Sequence, residues 1–181
     1  VLGKGSFGCA ISPAIMCSSK MKPTDKISKI INLNGLNTKE VNELDEEYKL
    51  SQQFKKIDPN SKYFLGGVDK CRIPSMKIDR SDLKSCNITI KKVVPLLNII
   101  MKKGKDFHKV ANKLSDKDLL KSIAHLLNGA KKSVYGLGIV LLDVKHLNLL
   151  YVNSETEKNK IHPVFIDFSP EFVPQSKKEF R

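Results

Sequence analysis

No apolar run in these 181 residues approaches the roughly 20 needed to span a bilayer. A basic-then-apolar leader with a cleavage site is also missing, so the expectation is a soluble protein of the cytoplasm without a transmembrane segment. The four cysteines, Cys9, Cys17, Cys71 and Cys86, have neither the CxxC spacing of a zinc site nor the density of a disulfide scaffold, and reduced thiols are expected. Internal repeats and low-complexity tracts are absent too. The positive charge is large, with 32 Lys plus Arg against 19 Asp plus Glu and a net +13, which predicts attraction to polyanions. Yet the lysines fall in scattered pairs (Lys55-Lys56, Lys91-Lys92, Lys102-Lys103, Lys131-Lys132) with no aromatics interleaved, as a stacking surface for single strands requires. They read as a solvated basic face, and no specific nucleic acid is expected as a partner.

A hydrophobic content of 40% and a charged content of 28% allow one good core or two small lobes. From Cys9 to about Ile15 and from Lys26 to Leu33 the chain is short, apolar and broken by Pro13, Pro23 and Asn34-Gly35, which suits strands and turns. Between Thr38 and Lys56, Val41, Leu44, Tyr48, Ser51 and Phe54 recur at three- and four-residue steps with acids early and lysines late, as a helix dipole favours. The stretches "YFLGGV", "CRI" and "VVPLLNII" predict further strands, and Pro95 argues against a central place for the last. A longer helix is predicted after Ser115, with Asp118 three residues on and Leu119, Leu120, Ile123, Leu126, Leu127, Ala130 and Val134 on one face. The polar run at 153–160 reads as an exposed turn between two strands. The class expected is α+β, β-rich over residues 1–101 and mainly helical over 102–181.

Two apolar runs carry charges that a plain core would avoid. "GIVLLDVKHLNLLYV" holds Asp143, Lys145 and Asn148, and "PVFIDFSP" holds Asp167 between Ile166 and Phe168. An unpaired buried charge costs several kcal/mol, so such groups have partners or a task. Each acid alone reads equally as a turn residue capping nearby amides. The chain opens on "VLGKGSFGCA", whose Gly3, Gly5 and Gly8 leave the backbone free to lay its amides against phosphate oxygens. The next residues, "CAISPAIM", are strand-like, whereas a dinucleotide fold needs a helix there, and no Gly-Lys-Ser/Thr closes a Walker loop.

Taken in order, the glycine loop, Lys29 in a strand, a helix acid, Asp143 with Lys145 and Asn148, and Asp167 before Phe168 resemble the signature set of eukaryotic-type protein kinases. The resemblance implies a two-lobe fold, with an antiparallel β lobe bearing one helix and a mainly helical second lobe, and ATP and Mg2+ as cofactors. It implies that Leu2, Gly3, Gly5, Phe7, Gly8 and Ala10 cover the nucleotide, that Lys29 meets its phosphates, and that Leu150 floors the adenine. Glu47 is the implied partner of Lys29, with Glu46 and Glu43 as alternatives. "LLDVKHLN" overlays the family's catalytic loop, so Asp143 would take the hydroxyl proton and Lys145 would neutralise the moving phosphoryl. Asn148 and Asp167 would hold magnesium. Lysine two residues after that Asp implies serine/threonine specificity, hence a protein substrate with Ser or Thr. Leu141 and Leu142 replace the family's His and Arg, and Ser169 replaces its glycine after Phe168. The missing Arg implies activity that does not wait on a phosphorylated loop. The lysine-rich style, "KKIDPNSKYF" and "FIDFSPEF" are similar to serine/threonine kinases of large cytoplasmic DNA viruses, which implies host cytoplasm or virion as the setting. Measured against the family, the chain resembles a fragment that stops early in the activation segment. Two other readings remain beside the kinase: an ATP-binding scaffold without catalysis, and a basic module for nucleic acid or acidic lipid.

Overall fold

A computed structural model describes residues 1–4, 8–18, 25–88, 94–154 and 160–168. The fold is mixed α+β with antiparallel ladders, and the chain divides into two compact units. Among the described residues no helix is long and apolar enough to cross a membrane.

The first unit comprises Val1–Asn42 and Gly67–Lys103. Its strands are β1 (Gly3–Lys4), β2 (Gly8–Ile11), β3 (Lys26–Asn32), β4 (Asp69–Pro74) and β5 (Pro95–Lys102), in the order β1-β2-β3-β5-β4. The strand opened by Pro95 is therefore interior, contrary to the expectation from its proline. Pro95 pairs with Pro74 at the strand ends, so no ladder hydrogen bond is asked of either nitrogen further along. One face of this sheet carries Cys9, Ile11, Ile30, Leu96 and Ile73 and packs against Ile78, Leu83 and Ile88. Leu83 comes from a short helix, α2 (Arg80–Ser85), that periodicity does not announce because it is barely more than one turn.

All four cysteines lie in this unit, and they are paired. Cys9 joins Cys86 and Cys17 joins Cys71, with Cα separations of 5.5 and 5.7 Å that suit a disulfide. This overturns the expectation of reduced thiols. Sequence spacing of 77 and 54 residues gives no motif, and only the sheet brings the partners together.

The second unit comprises Glu43–Gly66 and Gly104–Arg181. Most of helix α1 (Thr38–Ile57) belongs to it. Asn37 and Glu40 start that helix as a reciprocal cap, Asn37 Oδ1 accepting from the Glu40 amide at 3.0 Å and Glu40 Oε2 from the Asn37 amide at 2.8 Å. A three-stranded sheet runs β6 (Lys105–Asp106), β7 (Leu149–Asn153), β8 (Ile161–Phe165), with α3 (Phe107–Ala111) and α4 (Asp116–Leu137). Residues 155–159 of the predicted turn lie outside the described residues. "YFLGGV" forms no strand beyond a single bridge from Phe64 to Phe165.

Helix α4 starts as predicted, with Ser115 Oγ accepting from the Asp118 amide, and Gly138 ends it at φ 72°. The predicted face is covered only in part: Leu126 and Ala130 pack against the core, and Leu119 and Val134 are half-buried. The residues it buries are small, Ser122, Gly129 and Ser133, while Leu120 and Leu127 are each 66% exposed and Ile123 is 45% exposed. Gly129 decides this, because a Cβ there would lie 3.0 Å from the Phe165 ring and 3.1 Å from Tyr63 Cβ. The hydroxyls on that ridge are used: Tyr151 donates to Ser122 at 2.7 Å and Ser133 donates to the Ile139 carbonyl at 2.7 Å.

Candidate functional site

Beyond Gly138 the chain leaves regular structure until a 3-10 turn at His146–Asn148. Its entry is fixed by buried Ile139, whose carbonyl takes the Ser133 hydroxyl, and by Leu141, which packs against the Leu50, Phe54, Phe64 and Phe165 core. The apolar run around Asp143 is thus only partly core: Leu142, Val144 and Leu147 face outward.

Within this loop three of the predicted residues meet. Asn148 is 7% exposed and its Nδ2 donates to the Asp143 backbone carbonyl at 3.0 Å and to Asp143 Oδ2 at 2.8 Å. Lys145 Nζ donates to the same Oδ2 at 2.7 Å, and about half of both the lysine and aspartate side chains is open to solvent. The Lys145 hydrogen bond, aided by that of Asn148 and opposed by desolvation, holds the Asp143 carboxyl below the ordinary carboxylate range. The result is an accessible carboxylate, ionised and aimed by two donors.

Asp167 is tied to this loop through the backbone, since the Ile166 amide donates to the Asn148 carbonyl at 2.9 Å. Its φ is 62°, a left-handed conformation that L-residues other than Asn and Asp seldom take. The turn sends Asp167 to the surface and the next side chain inward. Phe168 is 3% exposed and stacks on Phe54 with centroids 4.5 Å apart. Leu150 sits in β7 and packs against Leu65, Val152 and Val164. Glu47 is half-buried on α1, and its neighbours Glu46 and Glu43 are exposed.

The remaining predicted residues lie in the first unit. Ala10 stands directly opposite Lys29 and Gly3 directly opposite Ala10, on the sheet face away from the cysteines. Leu2 is 54% exposed, and its amide donates to the Ala10 carbonyl at 2.7 Å. Gly8 has no room for a side chain, because a Cβ would strike the Ile30 carbonyl oxygen. Gly5, Phe7 and Ser169 lie outside the described residues. Sequence reasoning missed Ser133 and Phe168 as the anchors of the two loops. The recurrence of small residues at 122, 129 and 133 was the available signal for the first.

Compared with known proteins, the chain matches no family model and no curated protein.

Proposed function

We propose that the chain is the ATP-binding and catalytic core of a serine/threonine protein kinase with the two-lobe fold of that family. The observation that carries this reading is the exposed Asp143 carboxylate gripped by Lys145 and Asn148. An ionised carboxylate so aimed can orient a substrate hydroxyl and accept its proton, while Lys145 offsets charge on the phosphoryl in flight. By the resemblance to that family, the glycine strands and Lys29 would receive the triphosphate.

Asp167 and the Asn148 amide oxygen are hard donors of the kind magnesium takes. In this reading the protein would supply these two ligands and leave the rest of the ion's coordination to phosphate and water. Bound there, the ion supplies charge neutralisation across the phosphates.

The test is transfer of label from γ-labelled ATP with magnesium to a generic Ser/Thr-containing protein. Wild type transfers label, and Asp143→Asn loses about 100-fold or more, the usual worth of a positioned base. Activity within tenfold of wild type in that variant removes Asp143 from its role. ATP-dependent thermal stabilisation without transfer would instead favour the non-catalytic ATP-binding scaffold, the reading motivated by Leu141 and Leu142 before Asp143 and Ser169 after Phe168. Polyanion binding that is steep in salt and indifferent to ATP would favour the basic module.

The cytoplasmic setting implied by the resemblance sits uneasily with two disulfides, since cytosolic thiol pools keep cysteines reduced.

A further inference from the structure

Asn98 lies in the middle of β5 and is fully buried. It belongs to a single row across the sheet of the first unit: Cys9 opposite Ile30, Ile30 opposite Asn98, Asn98 opposite Cys71. Its Nδ2 donates to the Ile15 carbonyl at 2.6 Å and approaches Cys17 Sγ and Cys71 Sγ at 3.9 and 3.8 Å. A carbonyl only accepts, so the amide must turn its nitrogen toward Ile15. Oδ1 is then left buried, with no donor among the described residues. A buried acceptor without a donor bears its whole desolvation cost. The disulfide beside it has no hydrogen to offer. The same two sulfurs as thiols carry two S–H donors. Both sulfurs lie on the nitrogen side of the amide, but once freed from one another either thiol could turn its hydrogen to Oδ1, which the disulfide has no hydrogen to do.

Two further observations bear on this pair. Cys17 and Cys71 are both half-exposed, within reach of a small reagent from either side, whereas the other pair is half-exposed at Cys86 alone and its Cys9 is only 2% exposed. The segment bearing Cys17 is also held without its disulfide: the Ile15 amide donates to Ser28 Oγ at 2.8 Å, and the Ile15 carbonyl accepts from Asn98. Opening the bond leaves the two cysteines near one another and able to reclose.

We propose that Cys17–Cys71 is a reversible thiol–disulfide exchange site whose co-reactant is a low-molecular-weight thiol, while Cys9–Cys86 is a static cross-link. A small thiolate attacks one of the two sulfurs, the S–S bond breaks, and the other cysteine leaves as a thiolate that takes up a proton. A second small thiol attacks the mixed disulfide, releases the small-molecule disulfide and frees the second cysteine as a thiol. Two electrons pass from the two small thiols to the protein. None of this depends on the kinase reading.

The test equilibrates the protein in graded ratios of reduced to oxidised glutathione, traps thiols by alkylation and reads each cysteine peptide by mass spectrometry. In wild type, Cys17–Cys71 is half-reduced at a lower thiol ratio than Cys9–Cys86. Opening in the reverse order, or of both bonds together, overturns the proposal. Asn98→Leu gives a second reading with a decisive sign. If Asn98 only anchors Ile15, its loss loosens Cys17 and makes the bond easier to reduce, as Ser28→Ala would. The proposal expects the opposite, a bond harder to reduce by about tenfold in equilibrium constant, which is about 30 mV for a two-electron couple. A shift in the same direction as Ser28→Ala sinks it. Should Asn98→Leu not fold, the wild-type order alone decides.

Discussion

An exposed carboxylate can do chemistry only if something other than burial fixes its direction, and at Asp143 two donors do so. Removing Lys145 takes away the larger cause of its lowered pKa and leaves Asn148. The acid limb of the pH–rate profile should therefore lie below the ordinary carboxylate range in wild type and move up in Lys145→Ala. An unmoved limb would show that the ion pair does not set the ionisation. The same group affects stability in one direction only. Its folded value lies below its unfolded value, so its contribution is present above the unfolded value and fades as pH falls through the folded one. At Asp167 the backbone matters more than the charge. With φ at 62°, Asp167→Gly should be more stable than Asp167→Ala by about 1 kcal/mol, because an alanine Cβ is crowded in the left-handed region. Urea denaturation of the two variants measures this, and equal stabilities would mean that the turn relaxes on substitution. Neither variant should transfer phosphoryl groups if Asp167 holds the metal.

At the scale of elements, α4 shows what periodicity can and cannot give. The three- and four-residue recurrence of apolar residues announced the helix and its Ser115 cap, and Leu126 and Ala130 of the predicted face do pack on the core. The recurrence did not show that the most buried ridge is the small one, since that depends on the Phe165 and Tyr63 rings the helix meets. The contrast is testable. Gly129→Leu forces a side chain into those rings and should cost about 1–3 kcal/mol as overpacking. Leu120→Ser, on the open face, should change stability by no more than about 0.5 kcal/mol. A large loss in the second and none in the first would turn the helix over. His125 adds a pH handle on the same element. Burial, ahead of the neighbouring His162 and Lys62 charges, lowers its pKa despite its hydrogen bond to the Lys62 carbonyl and the Asp58 carboxylate nearby. The unfolded chain then takes up its proton first. Stability should fall as pH drops below about 6.5, the ordinary histidine value, and His125→Gln should flatten that slope in melting temperatures taken across the range. Strands β2, β3 and β5 and helix α1 were legible in the same way as α4, from short apolar runs between turn residues and from an apolar stripe. The Asp143, Lys145 and Asn148 cluster was legible because polar residues in an apolar run need a reason. What the run did not disclose is that its Leu142, Val144 and Leu147 face solvent.

For the whole molecule, the pairing of the cysteines was the least legible feature, because register across β2, β3, β5 and β4 is a property of the sheet and of no local sequence. Its energetic weight is large. Closing loops with separations of 77 and 54 residues removes unfolded-state entropy worth about 4 kcal/mol each in the chain-entropy account. The two loops are nested, Cys17 and Cys71 lying inside the span from Cys9 to Cys86, so their joint effect is smaller than the sum. Denatured but unreduced protein should accordingly show no alkylatable thiol, since all four cysteines are paired. Replacing the static pair, Cys9→Ala with Cys86→Ala, should lower unfolding free energy by up to about 4 kcal/mol, with part of the loss coming from the buried sulfur of Cys9. A double variant as stable as wild type, together with four alkylatable thiols in the unreduced protein, would mean that the sheet brings these cysteines together without bonding them. The exchange site inferred at Cys17–Cys71 would then have no disulfide to open.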